Sequence, residues 1–400
     1  MKKTIGIIRE GKLPSDLRTP LTPQNCIDLI QHFPGTEIIV QPSPFRCYTD
    51  EMYLEKGITV SEDLSPCDIL VGVKEVPIDS LLADKTYFFF SHTIKKQPHN
   101  RNLLRSILAK NITLIDYETL TWEAGNRIIG FGRFAGIVGT HYAFLMWGKK
   151  YGFYTLKPAN QLKDFSDLVN QYKDLQLPPM RIAVCGDGRV AHGSLELLKK
   201  LQILHVSQEE FLEHEYNQAV YVHLRSEDYY TRKDGRPWDK SDFYKHPEDY
   251  MSCFKPYYKK ADILINAVFW HEGIEPFFTH EEMKASDFRI KVISDISCDI
   301  AGPIPSTIRS TSIDSPFYGY NVFLEKEVMP FQSNIIDVQA VSNLPCELPL
   351  DASIEFGEQL VRHVLPCLLV EDKDNIIHNA TIASGGSLTD KFSYLKDYIA

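Results

Sequence analysis

Residues 181–207 read "RIAVCGDGRVAHGSLELLKKLQILHVS". An apolar run of strand length meets a glycine-rich turn, a helical pattern follows, and a second apolar run ends at Ser207. Strand, turn, helix and strand in that order make a βαβ unit, which calls for a parallel sheet. The turn is Gly186-Asp187-Gly188-Arg189-Val190-Ala191, the pattern GxGxxA. Gly186 permits the tight turn, and Gly188 leaves room for a pyrophosphate against the backbone. Ala191 lets the helix pack near the strand, while its first turn, with Arg189 and Val190, faces the anion. A dinucleotide cofactor is expected here.

In an NAD-binding unit an acidic residue about 20 positions on, at the tip of the second strand, accepts from the ribose hydroxyls. This chain has Ser207 there, and Arg225 closes the next apolar run, "AVYVHLRS". A serine does not repel a 2′-phosphate and an arginine suits pairing with one, so NADP(H) is favoured over NAD(H). The alternative is that Glu209 or Glu210 takes the ribose and the cofactor is NAD(H).

The same alternation runs through the N-terminal third. Strands are predicted at 4–10, 36–41, 68–75, 86–92 and 112–118, with helices at 22–33 and 99–111 between them. Thr22 is the expected N-cap of the first helix and Pro23 its first helical position. Lys74, His92 and Glu118 each close a different predicted strand, where ligands of open parallel sheets bind.

Further along, residues 133–152 have small residues at Ala135, Gly136 and Gly139 followed by an apolar helical pattern, predicting a long helix that crosses between domains in close contact with another element. The charged, aromatic segment 226–260 is read as an elaborated loop. Residues 261–270 and 291–300 are read as the last two parallel strands, the second leaving Asp295, Ser297 and Asp299 at its carboxyl end.

A chain of 400 residues is too long for one core. The expected fold class is α/β, two Rossmann-like doubly wound parallel-sheet domains with an inter-domain cleft. One domain is read as 1–132 plus about 330–400, carrying substrate and catalysis, and the other, 133–329, as the dinucleotide domain. A net charge of -10 with dispersed basic residues gives no footprint for nucleic acid or an anionic membrane. No apolar run approaches the ~20 residues of a membrane span, and "MKKTIGIIRE" runs straight into a strand, so a cytoplasmic location is expected. The eight cysteines form no CxxC pair; reduced, mostly buried thiols are expected, with neither a disulfide framework nor a bound metal.

The order of "DLRTPLTP", "GVKEVP", "FFFSHTIKKQ", "DYETL", "GFGRFAGIVG", "GDGRVAHG", "DISCD" and "VSNLPCELPLDAS" resembles L-lysine-forming saccharopine dehydrogenase. It also resembles that enzyme's counterpart, the lysine-ketoglutarate reductase half of the bifunctional lysine-degrading enzyme, both within the alanine dehydrogenase and transhydrogenase fold group. The strings "DKSDFYKHPEDYMSCF", "CDIAGPIPSTIRSTSIDSPFYGY" and "ATIASGGSLTDKFSYLKDYI" place the reductase half nearer, and that half uses NADPH.

The resemblance implies the reaction L-lysine plus 2-oxoglutarate plus NAD(P)H to saccharopine plus water, through an imine. It implies Lys74 and His92 as the acid–base pair, with the division of roles open. Burial and neighbouring cations would bring the lysine, ordinarily about 10.4, into working range. It implies Arg18 and Arg127 as carboxylate holders, with Lys95 a third cation. Glu118 receives the amino end of lysine or tunes Lys74, Asp295 lies near the nicotinamide, and Glu75 orients Lys74. Because the chain ends at Ala400, it is expected to carry one of the bifunctional enzyme's two steps, with a separate glutamate-forming saccharopine dehydrogenase as its pathway partner. The alternatives are an alanine dehydrogenase-type enzyme and a non-catalytic nucleotide-binding sensor.

Overall fold

The computed structural model describes residues 3–13 and 15–400, and its chain divides into two compact units, Met1–Phe131 with Pro349–Ala400, and Gly132–Leu348. In the first unit the strands are β1 (Lys3–Ile7), β2 (Thr36–Val40), β3 (Thr59–Val60), β4 (Ile69–Val71), β5 (Thr86–Phe89) and β6 (Thr113–Asp116). They lie in the order β3-β2-β1-β4-β5-β6, all parallel, and an antiparallel hairpin from Thr381–Ser384 and Ser387–Leu388 continues the sheet beyond β6. That order is doubly wound, and it reverses between β1 and β4.

Local chemistry sets the first helix, Pro23–His32. Thr22 accepts from the Asn25 backbone, Asn25 answers to the Thr22 backbone, and Pro23 opens the helix. The helix Pro349–Gln359 packs against it so closely that a Cβ at Gly357 would lie 2.0 Å from Asn25 Oδ1. Ser353 Oγ on that helix accepts from Thr19 N at 3.0 Å, which braces the chain leaving β1.

The second unit carries β7 (Arg181–Cys185), β8 (Leu204–His205), β9 (Val220–Leu224), β10 (Tyr230–Arg232), β11 (Tyr250–Ser252), β12 (Ile263–Asn266), β13 (Val292–Asp295), β14 (Phe317–Asn321), β15 (Lys326–Val328) and β16 (Ile336–Gln339). Its main sheet runs β15-β14-β16-β13-β12-β7-β9-β8, with β14 antiparallel to both of its neighbours, β15 and β16, and every other pair parallel. The helix Arg189–Lys200 follows the glycine turn. The long helix Gly132–Tyr151 lies wholly in this unit, and its close contact is with that helix: a Cβ at Gly136 would meet Val190 O, and one at Gly193 would meet Arg133 O. Side chains at either place would force the two helices apart.

Two elements differ from the sequence reading. Segment 226–260 is no mere loop: it holds the two-stranded β10-β11 sheet and buries Tyr229, Tyr230, Phe243, Tyr250, Phe254 and Tyr258 in the core of the unit. Its alternating charges stay outside or pair inward, as where Arg232 meets Asp234, Asp242 and Asp249. The strand at 291–300 is not the last parallel one either, because β16 pairs with β13. The chain therefore returns to the first unit at Pro349, where the sequence reading placed the return near 330.

Candidate functional site

β4 and β5 leave their sheet together. Gly72 N donates to Phe88 O at 2.9 Å and Phe90 N to Val73 O at 3.0 Å, so the ladder continues past both strand ends. Lys74 follows Val73 by one residue and His92 follows Phe90 by two, which puts both at one edge. The strands end earlier than predicted: Lys74 stands in a bend three residues past Val71. His92 sits in the left-handed region at φ 54°, uncommon for a non-glycine residue and held here by its surroundings. Asp116, buried at the end of β6, takes Ser91 N at 3.0 Å, Ser91 Oγ at 2.5 Å and Glu118 N at 2.7 Å, fixing the exits of β5 and β6 to each other.

Lys74 is lowered from the ordinary lysine value, first by burial and then by Arg18 and Lys12, while Asp16 and Glu75 oppose. Glu75 accepts from Lys12 Nζ at 2.5 Å and interacts electrostatically with both Lys74 and His92, so it is tied to a second cation as well as to the pair.

Glu118 gathers cations. Its carboxylate lies 3.4 Å from His92 Nδ1, 3.1 Å from Lys95 Nζ and 2.8 Å from Arg127 Nη2. These partners hold it well below the usual carboxylate range, at about 2, against the opposing pull of burial. It faces His92, whereas the charges acting on Lys74 are those of Arg18, Asp16, Lys12 and Glu75. Arg18 is buried, joined twice to Asp16 at 2.9 and 2.6 Å, with its guanidinium carbon 4.1 Å from the Phe131 ring centre. Phe131 is stacked in turn on Phe356 at 4.4 Å. Lys12, Arg18, Lys74, Lys95 and Arg127 thus crowd one strand-end edge, an arrangement suited to a substrate with several carboxylates.

In the second unit the glycine turn fits a pyrophosphate. Gly186 has φ +122°, and a Cβ there would lie 2.5 Å from Ala267 O. At Gly188 a Cβ would meet nothing within 4 Å, so the turn opens onto free space at the start of the helix Arg189–Lys200. Ala191, in the first turn of that helix, is fully buried.

The Ser207 reading does not survive. The strand beside β7 is β9, and β8 is pushed to the sheet edge. Arg225 directly follows β9, the strand beside β7. Ser207 caps the helix Gln208–Glu213, taking Glu210 N at 3.2 Å, and Glu209 and Glu210 lie on that same edge element. Arg225, about half exposed, lies 3.4 Å from Asp187 of the glycine turn.

Asp295 is fully buried. It takes Thr307 Oγ1 at 2.5 Å, Ser297 Oγ and Asn266 Nδ2 at 2.8 Å each, and Cys298 N at 3.3 Å, which makes it the organiser of the loop after β13.

Residues 6–138 match the family model described as alanine dehydrogenase/PNT, N-terminal domain. The chain is 29% identical to alpha-aminoadipic semialdehyde synthase of Arabidopsis thaliana over 98% of this chain and 41% of that protein. It is 28% identical to the mitochondrial enzyme of that name from Mus musculus, over 99% and 48%. With saccharopine dehydrogenase (NAD(+), L-lysine-forming) of Yarrowia lipolytica it shares 26% identity over 90% of each chain. Along nearly its whole length the chain is thus similar to alpha-aminoadipic semialdehyde synthases and to a saccharopine dehydrogenase. It spans less than half the length of the two semialdehyde synthases. Its fold is that of alanine dehydrogenase, matched with a TM-score of 0.68 at 15% identity over 99% of this chain and all of the other. A transhydrogenase from Sinorhizobium meliloti matches with a TM-score of 0.61 at 12% identity, over 97% of this chain and all of the other.

Asp116, Phe131, Phe356 and Ser353 support the strand-end edge, and none was singled out from sequence. A substitution tests the nucleotide turn. Gly188 is extended, at φ -93° and ψ -175°, a backbone any residue adopts, and its missing Cβ points into open space. Gly188→Val is expected to leave the melting temperature within ~2 °C of wild type while weakening nicotinamide nucleotide binding at least tenfold by calorimetric titration, because the side chain fills the space meant for the ligand.

Proposed function

We propose that this chain forms or cleaves saccharopine, joining the ε-amine of L-lysine to 2-oxoglutarate with NAD(P)H and releasing water. What supports the reading is that Lys74 and His92 follow the hydrogen-bonded exits of the neighbouring strands β4 and β5, with Arg18 acting on Lys74 and with Lys95 and Arg127 gathered with His92 on Glu118. Lysine and 2-oxoglutarate bring three carboxylates between them, and the guanidinium fork is the group best shaped to hold them.

The chain's part in the chemistry is proton movement and orientation. Lys74, its proton affinity lowered first by burial and then by Arg18, gives up its proton more readily than an ordinary lysine. One member of the Lys74–His92 pair gives a proton to the departing hydroxyl of the carbinolamine. The other moves the proton of the reacting nitrogen. Glu118 orients His92 and keeps Lys95 and Arg127 in place between turnovers. The Gly186–Ala191 turn would hold the pyrophosphate of a nicotinamide nucleotide, which when bound would supply or accept the hydride. Arg225 at the tip of β9, the strand beside β7, favours NADP(H), because a guanidinium there suits a 2′-phosphate.

The test is nicotinamide oxidation with lysine and 2-oxoglutarate together, run with NADPH and NADH in parallel, and saccharopine identified by mass spectrometry. Oxidation requiring both substrates is expected, faster with NADPH. No oxidation with either nucleotide removes the proposal, and a preference for NADH removes the role of Arg225.

A further inference from the structure

We propose that Glu10 is a positioning residue for Lys74: its carboxylate grips the backbone of the β4 exit and so sets where the Lys74 amine points. The proposal rests on reading Lys74 as an acid–base group.

β1 and β4 are the two strands between which the sheet order reverses, the place where open α/β sheets bind their ligands. Their register sets Ile7 opposite Val71, so three residues on, Glu10 stands opposite Lys74. Between them the backbone ladder ends at Ile8 N donating to Val71 O at 2.9 Å. The Glu10 side chain then takes over from the ladder. Its Oε1 accepts from Val73 N at 2.6 Å and its Oε2 from Lys74 N at 2.8 Å. One carboxylate thus holds two successive N–H groups, and a Cβ at Gly72 would lie 3.5 Å from Oε1.

Two further charges bear on it. Burial and Asp16 push the Glu10 carboxyl up to about 8, while the two N–H groups and Arg18 pull it down. Lys74 owes its lowered proton affinity first to burial, and burial depends on how the β4 exit is held. The charged groups that act on Lys74 are Lys12, Asp16, Arg18 and Glu75, and a change at Glu10 leaves all four side chains chemically intact. Releasing the grip therefore exposes the amine and returns it toward the ordinary value of about 10.4.

The experiment compares wild type, Glu10→Gln and Glu10→Asp. Glutamine keeps the length but turns an amide NH₂ toward one of the two N–H groups, and aspartate keeps the carboxyl group but falls short of the backbone. Labelling of Lys74 by trinitrobenzenesulfonate, followed by peptide mass spectrometry across pH, reads the amine directly and needs no turnover. In both variants the midpoint is expected to rise by at least half a pH unit, kcat for saccharopine formation to fall at least tenfold, and KM for 2-oxoglutarate to stay within threefold. An unchanged midpoint with the chain folded overturns the role of Glu10. So does a loss of kcat matched by an equal rise in KM, or unfolding of both variants by circular dichroism, since either is what a purely structural residue would give. A wild type inactive with lysine and 2-oxoglutarate would sink the reading of the reaction, and the labelling midpoint would still decide what Glu10 does to Lys74.

Discussion

Replacing Lys74 by Met is expected to lower kcat for saccharopine formation by about 10²–10⁴-fold, the range in which a positioned acid–base group contributes. The methionine keeps most of the side chain's volume and removes its amine, so the packing around Val73 and Val76 has no reason to change. The nicotinamide nucleotide is expected to bind as in wild type, because the turn Gly186–Ala191 belongs to the other compact unit. Steady-state kinetics with calorimetric titration of the nucleotide checks both halves. An equal loss of turnover and of nucleotide affinity would make Lys74 a structural residue.

The largest expected effect on stability lies at Lys150. Its side chain is 1% exposed, its Nζ is 3.0 Å from Asp337 Oδ2, and it also donates to Gln332 O at 2.7 Å and Ile335 O at 3.1 Å. The pair fastens the end of the helix Gly132–Tyr151 to β16. Lys150→Met strands a carboxylate that is 0% exposed. Breaking such a pair from one side costs about 3–5 kcal/mol. The melting temperature is expected to fall by on the order of 10 °C. Changing both partners, Lys150→Met with Asp337→Leu, is expected to recover a good part of it, since no charge is then left without its partner. A single variant that melts with wild type would show the pair to contribute nothing.

Much of this was legible in the sequence, for local reasons. The helix at 23–32 announces itself through Thr22 and Pro23, and the glycine turn through the spacing of Gly186, Gly188 and Ala191 between an apolar run and a helical one. The placing of Lys74, His92 and Glu118 together at strand ends was also readable, because a parallel alternation brings successive carboxyl ends to one edge.

What escaped depends on strand order and register. Ser207 looked like the ribose residue because chain order was read as spatial order. A two-residue β8, with Leu204 and His205 both exposed, yields the inner place to the buried β9. Glu10 was passed over although "GIIRE" and "GVKE" close their strands with the same charged pair. Only the facing of Ile7 and Val71 shows that one glutamate holds the other's neighbour. The aromatic insert at 226–260 looked too charged for a core. Its rings pack inward while Asp234, Asp242 and Asp249 gather on one arginine.

The account stands on Lys74 and His92 acting as two separate proton-handling groups at one strand-end edge. The most direct measurement is the pH dependence of kcat/KM for saccharopine formation in wild type, Lys74→Met and His92→Gln. The expected result is a bell in wild type from which each variant loses a different limb. Profiles of unchanged shape in both variants, merely lowered, would contradict it.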